Sequence, residues 1–198
     1  MIPRRALLEY AAEAPGVFAI PLYDAATCRH MVESAEAARL WREAAVFSGP
    51  READGEMVDP AQRSACVTAL ADLPELGQAF DASVQQIITP LVYQQCRVRL
   101  PRYAEAQIVR YRPGGEYMVH QDRGAGAWNR YFTIVCYLND DFTGGATRFP
   151  QLGYSSTPRT GKAIVFLADY WHCAEPIESG CKYVLVAWLV GSDPIRWI

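Results

Sequence analysis

From residue 105 onward the chain is a succession of short apolar runs: "AQIVRY", "YMVHQD", "RYFTIVCYLND", "ATRFP", "GKAIVFLAD" and "CKYVLVAWLV". They are of strand length, rich in Val, Ile, Tyr, Phe and Trp, and separated by "RPGGE", "RGAGA", "FTGG" and "ESG". This texture predicts an antiparallel sandwich or barrel, not alternating βαβ units. The first half reads as mainly helical. "VFAIPLY" (17–23) predicts a short strand, and Asp24 is placed to cap a helix running through "AATCRHMVESAEAARLW". "SGPREADGEMVDPAQRS" (48–64) reads as a long loop and a candidate lid. "LPELGQAFDASVQQIITPLVYQQC" (73–96) predicts a helix that Pro90 kinks or interrupts. The expected architecture is α+β, mainly β. Helical support over 1–104 leads into a β core over 105–191, in one domain of 1–198.

The 198 residues suffice for one sizeable core, and 51% hydrophobic with 21% charged residues is ordinary for a soluble globular chain. A net charge of −3 gives no general attraction to nucleic acid or anionic membrane, so neither is expected as a partner. No apolar run approaches the roughly 20 residues that span a bilayer. Two glutamates interrupt the start, "MIPRRALLEYAAEAPG", where a secretory signal would need an apolar run. Six cysteines with no C-x-x-C pair point to reduced thiols and a cytoplasmic protein.

Chemistry concentrates in few residues, because the chain has only three histidines. His120 and Asp122 are two apart at the end of a strand, so both can project from one face. Gly124 and Gly126 give the following turn freedom to swing the carboxylate back. His30 falls in the first helix and reads as a surface or packing histidine. His172, in "ADYWHCAEP", lies between two strand signals. Two imidazoles and a carboxylate with positions left open form the facial triad of non-haem Fe(II) oxygenases. The same donors also suit Zn²⁺, although no H-E-x-x-H helix is present.

The segment "QIVRYRPGGEYMVHQD…RYFTIVCYLNDDFTGGATRFP…GKAIVFLADYWHCAEPIESGCKYVLVAWL" resembles the catalytic domain of the prolyl 4-hydroxylase-like 2-oxoglutarate/Fe(II) dioxygenases. Shared elements are the Y-x-x-G-x-x-Y-x-x-H-x-D lead-in, an R-x-x-T…YLN strand and a G-G-x-T-x-F turn. A distal histidine followed ten residues on by lysine completes the match. "QRSACVTAL" (62–70) adds fainter similarity to the segment that precedes the core in relatives. The resemblance implies a double-stranded β-helix (jelly-roll, cupin-like) with the N-terminal helices packed on one sheet.

It further implies His120, Asp122 and His172 as iron ligands, and Lys182, Tyr111 and Thr147 as contacts of the 2-oxoglutarate carboxylate. Arg130, Tyr117 and Trp188 match substrate-facing positions. Read alone, Lys182 is a solvated strand lysine and the aromatics are core residues; the offset from His172 is what singles out the lysine. Asp122 excludes the halogenase variant, in which a small residue stands at the acid position. The implied cofactors are Fe(II), 2-oxoglutarate and O₂, with ascorbate as a supporting reductant. The implied reaction hydroxylates an unactivated C–H bond and releases succinate and CO₂. Arg123, Arg130 and Arg148 flank the motif residues and favour an amino acid or an amino-acid-derived small molecule as substrate. Peptidyl proline, in a peptide or protein, is the alternative, and a non-catalytic β-helix binding module stands further off.

Overall fold

The computed structural model describes residues 9–47, 56–124 and 127–191. Two facing antiparallel sheets dominate it. The larger has eight strands in the order β1 (Ala11–Ala14), β2 (Val17–Pro21), β13 (Lys162–Leu167), β9 (Arg130–Tyr137), β16 (Lys182–Val190), β7 (Arg102–Tyr111), β6 (Cys66–Ala69) and β3 (Arg42–Glu43). The smaller runs β12 (Tyr154–Ser156), β11 (Thr147–Phe149), β14 (His172–Ala174), β8 (Tyr117–His120). Two two-stranded pairs complete the set, β4 (Ala45–Phe47) with β5 (Glu56–Val58), and β10 (Thr143–Gly144) with β15 (Ile177–Ser179). The order interleaves distant strands in each sheet, which is the winding of a double-stranded β-helix.

Alternation along the strands divides the core in two. Phe132, Ile134 and Cys136 of β9, Leu185, Ala187 and Leu189 of β16, and Ala163 and Val165 of β13 face one way. There they meet Cys28, Met31 and Ala35 of helix α1 (Ala25–Ala38) and a second helical layer carrying Leu76, Phe80, Val84, Ile88 and Leu91. The intervening residues, Val135 and Tyr137, Val184, and Ile164 and Phe166, face the smaller sheet together with Val17, Val109 and Tyr111, and meet Phe149 of β11 there. One face of the large sheet is therefore an apolar support. The other forms the interior in which polar residues are placed.

Several local expectations are met with adjustments. Asp24 caps α1, accepting from the Thr27 N–H at 2.7 Å, but the helix ends at Ala38 and not at Trp41 because Arg39 turns left-handed (φ 55°). The second helix is split into α2 (Pro74–Ser83), a π-helical turn over Val84–Ile88, and α3 (Thr89–Cys96). The widened turn falls immediately before Pro90, which has no N–H to continue the ladder. The first half is less purely helical than its composition suggests. Alanine-rich Ala11–Ala14 pairs with β2, and the outer strands β6 and β3 extend the sheet beyond β7. In Ala11–Ala14 the strand partner overrides the high helix propensity of alanine. Within the expected loop 48–64, Glu56–Val58 is a strand, while 48–55 and Gly126 lie outside the described residues. All six cysteines are free thiols, and among the described residues no helix is long and apolar enough to cross a membrane.

Candidate metal and oxo acid site

The metal-binding group is assembled by strand pairing. His120, the last residue of β8, is the direct cross-strand partner of His172, the first of β14. After His120 the chain leaves the strand. The N–H groups of Asp122 and Arg123 both donate to Ala168 O at 2.9 Å, which folds the carboxylate back beneath the two rings. Asp122 Oδ1 lies 3.4 Å from His120 Nε2 and Oδ2 lies 3.3 Å from His172 Nε2. All three side chains place a donor atom within 4.8 Å of the others. His30 is exposed on α1 and takes no part.

Hydrogen bonds fix how each donor is presented. His120 Nδ1 lies 2.8 Å from Met118 O and His172 Nδ1 lies 2.9 Å from Tyr170 O. A carbonyl can only accept, so each Nδ1 carries a proton and each Nε2 is the ring atom presented to the carboxylate. Asp122 Oδ2 also accepts from Thr133 Oγ1 at 2.6 Å. Burial alone would raise the Asp122 carboxyl, yet the adjacent imidazoles of His172 and His120 hold it well below its ordinary range. Two imidazole nitrogens and a carboxylate converging on one buried point can all turn to a cation placed between them, and two nitrogens with one oxygen suit Fe(II).

The oxo acid side lies on the large sheet. Lys182, fully buried at the start of β16, pairs directly with Tyr111 at the end of β7. Its Nζ donates to Gly145 O at 2.6 Å, and burial pushes its ammonium down to about 7. A buried lysine held by one carbonyl calls for an anion, as a dicarboxylic oxo acid would supply. Thr147 Oγ1 accepts from the Tyr137 hydroxyl at 2.7 Å, which leaves its own hydroxyl proton free to donate. Lys182, Thr147, Tyr111 and the triad line one cavity of about 260 Å³. The donor set and this anchor together fit a metal bearing a chelating oxo acid.

The wall beyond the metal is aromatic and cationic. Tyr117 stacks on His120 with centroids 3.5 Å apart, and Arg63 Cζ sits 4.8 Å above the Tyr117 ring. Arg130 packs on Trp188 at 3.8 Å from the ring centre and forms an ion pair with Glu105. Of the three arginines noted around the motif, only Arg130 lines the cavity. Arg123 lies over the Tyr131 ring and donates to Trp128 O, and Arg148 pairs with Glu175. The expected cluster of three substrate-facing arginines is therefore not formed, because alternation and turns send two of them elsewhere.

Three residues of the site were not singled out by the sequence reading, although Tyr137 stands in the YLN motif. Arg63 arrives from the segment before the core, and Tyr137 sits behind Thr147. Glu105 is presented by a bulge in β7, where two residues face the single Ala187 between paired positions and Glu105 adopts φ 54°. Only "QRSACVTAL" hinted at the first of these.

Comparison with known proteins gives a consistent picture. The family described as the 2OG-Fe(II) oxygenase superfamily matches residues 106–190. A protein of Acanthamoeba polyphaga mimivirus bearing the name prolyl 4-hydroxylase is 30% identical over 129 residues, covering 52% of each chain. The prolyl 4-hydroxylase subunit alpha-1 of Gallus gallus is 35% identical over 104 residues, 43% of this chain and 20% of that one. The chain thus spans about half the length of the first relative and a fifth of the second. Among solved structures, a Pseudomonas putida prolyl-4-hydroxylase superposes with a TM-score of 0.68 at 21% identity, covering 89% of this chain and 93% of the other.

Proposed function

We propose that the chain is a 2OG-Fe(II) oxygenase, the superfamily whose description matches residues 106–190, and that it hydroxylates a prolyl residue within a peptide or protein. His120, Asp122 and His172 hold Fe(II), and Lys182, Thr147 and Tyr111 hold the far carboxylate of 2-oxoglutarate. When bound, these groups supply the oxidising chemistry: O₂ and 2-oxoglutarate are consumed, succinate and CO₂ leave, and a C–H bond becomes C–OH. The protein's part is to orient and to exclude water. Tyr117, stacked on His120, closes one side of the metal. Trp188 and the Arg130–Glu105 pair wall the side from which substrate reaches it.

The observation that carries the peptide reading is the polarity of that wall. Arg130 is already neutralised by Glu105, and Arg123 and Arg148 face elsewhere, so the carboxylate clamp expected for a small anionic substrate is absent from the described cavity. Instead two residues that line the cavity, Arg63 and Trp188, each carry a buried N–H group, Nε and Nε1, with no acceptor among the described residues. Peptide carbonyls satisfy such donors, and buried donors left unpaired are costly. The names of the relatives point the same way. A free amino acid or derivative remains the second reading, since Arg63 has no carboxylate partner among the described residues and could take one from the substrate.

A succinate-release screen decides between them, with end-capped prolyl peptides, free proline and other free amino acids as substrates. Capped peptides are expected to be turned over with kcat/KM at least about tenfold above any free amino acid, a difference near 1.4 kcal/mol. Mass spectrometry should find one added oxygen on proline. Turnover of free amino acids alone overturns the peptide reading, and succinate release undiminished in Asp122→Ala overturns the metal assignment.

A further inference from the structure

We infer that Glu13, on the N-terminal hairpin, is a positioning residue for the oxo acid pocket, acting through Ser156 on the Tyr137 and Thr147 hydroxyls. The inference rests on the reading of that pocket as the 2-oxoglutarate site.

Glu13 lies on β1, at the edge of the large sheet, and its carboxylate is fully engaged. Oε1 accepts from Lys162 Nζ at 3.1 Å, while Oε2 accepts from Ser156 Oγ at 2.8 Å and from the Tyr154 hydroxyl. Lys162 Nζ also donates to Ser156 Oγ at 2.9 Å. Strands β1, β12 and β13 meet in this cluster, so it ties the two sheets together where β12 ends the smaller one. Burial alone would raise the Glu13 carboxyl, but hydrogen bonds from Tyr154, Ser156 and Lys162 hold it low and ionised.

Ser156 joins this cluster to the pocket. Its side chain belongs to the Glu13–Lys162 pair, and its carbonyl lies 3.3 Å from the Tyr137 hydroxyl, whose shorter bond goes to Thr147 Oγ1. Thr147 and Ser156 are also direct partners across β11 and β12. The Tyr137 ring lies between two ammonium groups, with Lys162 Nζ and Lys182 Nζ each 5.6 Å from its centroid. One of these lysines belongs to the cluster and the other anchors the oxo acid. Removing the Glu13 charge leaves Lys162 partly buried without its ion pair. The lysine then competes for the Ser156 and Tyr137 oxygens, and the hydroxyl that orients Thr147 is disturbed.

The test is anaerobic titration of the Fe(II)-loaded full chain with 2-oxoglutarate, without any hydroxylation substrate, read by the visible absorption of the metal–oxo acid chelate. Glu13→Gln is expected to raise the Kd for 2-oxoglutarate about tenfold with Fe(II) affinity unchanged, and Tyr137→Phe to do likewise. Because both act on one path, the double variant should fall well short of the product of the two effects. Wild-type affinity in folded Glu13→Gln, or multiplicative effects in the double variant, overturns the inference. Should Glu13→Gln fail to fold, Tyr154→Phe removes one bond to the same carboxylate and should raise the Kd by a smaller factor. An unchanged Kd in that variant overturns the inference equally. If the wild-type protein forms no chelate at all, the oxo acid reading falls first, a result distinct from either.

Discussion

At the scale of single residues, the site is defined by where protons can sit. Two imidazoles commit their Nδ1 protons to main-chain carbonyls two residues earlier, and that bond, available to any histidine in this backbone, turns both Nε2 atoms toward Asp122. Lys182 is governed by a different balance. Burial lowers its ammonium to about 7 in the free protein, and a bound dicarboxylate favours the charged form and raises it again. Binding above pH 7 must then take up a proton, so the Kd for 2-oxoglutarate should rise as pH goes from 7 to 9, by at most about tenfold per unit. Lys182→Met should abolish that pH dependence and weaken binding about 10- to 100-fold, as expected for loss of a charged hydrogen bond. A flat pH profile in the wild-type protein would remove Lys182 from the anchor role. Without ligand the sign for stability follows from the same depression. The penalty of a buried ammonium is absent above the unfolded pKa near 10.4 and grows as pH falls toward about 7.

At the scale of elements, strand ends and tight turns do the placing. β8 stops at His120 so that Asp122 can turn back, and the bulge in β7 lifts Glu105 into the wall. Gly161 shows how little latitude such joints have. It adopts φ 80°, accepts from Leu22 N–H and Tyr23 N–H, and donates to Tyr137 O, seating β13 between β2 and β9. A Cβ there would lie 1.9 Å from Tyr23 O. Gly161→Ala should cost upward of about 2 kcal/mol, since strain at positive φ adds to a main-chain clash. The midpoint of urea unfolding measures it, and a shift under about 0.5 kcal/mol, the range of neutral surface substitutions, would contradict this account of the joint.

At the scale of the whole molecule, the helices and the chemistry occupy opposite faces of the large sheet. Phe80 is completely buried in the helical layer, edge-on to Tyr103 with ring centres 5.0 Å apart. Phe80→Ala should lower stability by about 3–5 kcal/mol through the cavity it leaves. Under native conditions the protein should still chelate Fe(II) and 2-oxoglutarate with wild-type affinity, because the apolar cluster around Phe80 includes none of the residues that line the cavity. Chelate titration beside denaturant unfolding separates the two effects, and a loss of affinity parallel to the loss of stability would show that the layers are coupled.

The sequence by itself determined the mainly β core, the two histidines and aspartate, and the lysine ten residues beyond His172. The triad was legible because its members lie in or beside strands of clear pattern, where spacing sets the face, and the lysine stood out only through the family resemblance that its offset from His172 carries. Only tertiary structure decided the rest. Arg63, Glu105 and Tyr137 enter the site through a preceding segment, a bulge and a buried hydroxyl contact, none of which leaves a periodic trace. The sheet-forming role of Ala11–Ala14, and with it the place of Glu13, depended on finding β2 as a partner. Arg123 and Arg148, adjacent to the motif in sequence, were sent away from the cavity, the first by the turn after β8 and the second by alternation along β11. Local pattern fixes which way a strand residue points, but which distant strand it then faces is settled only when the two sheets close over a common interior.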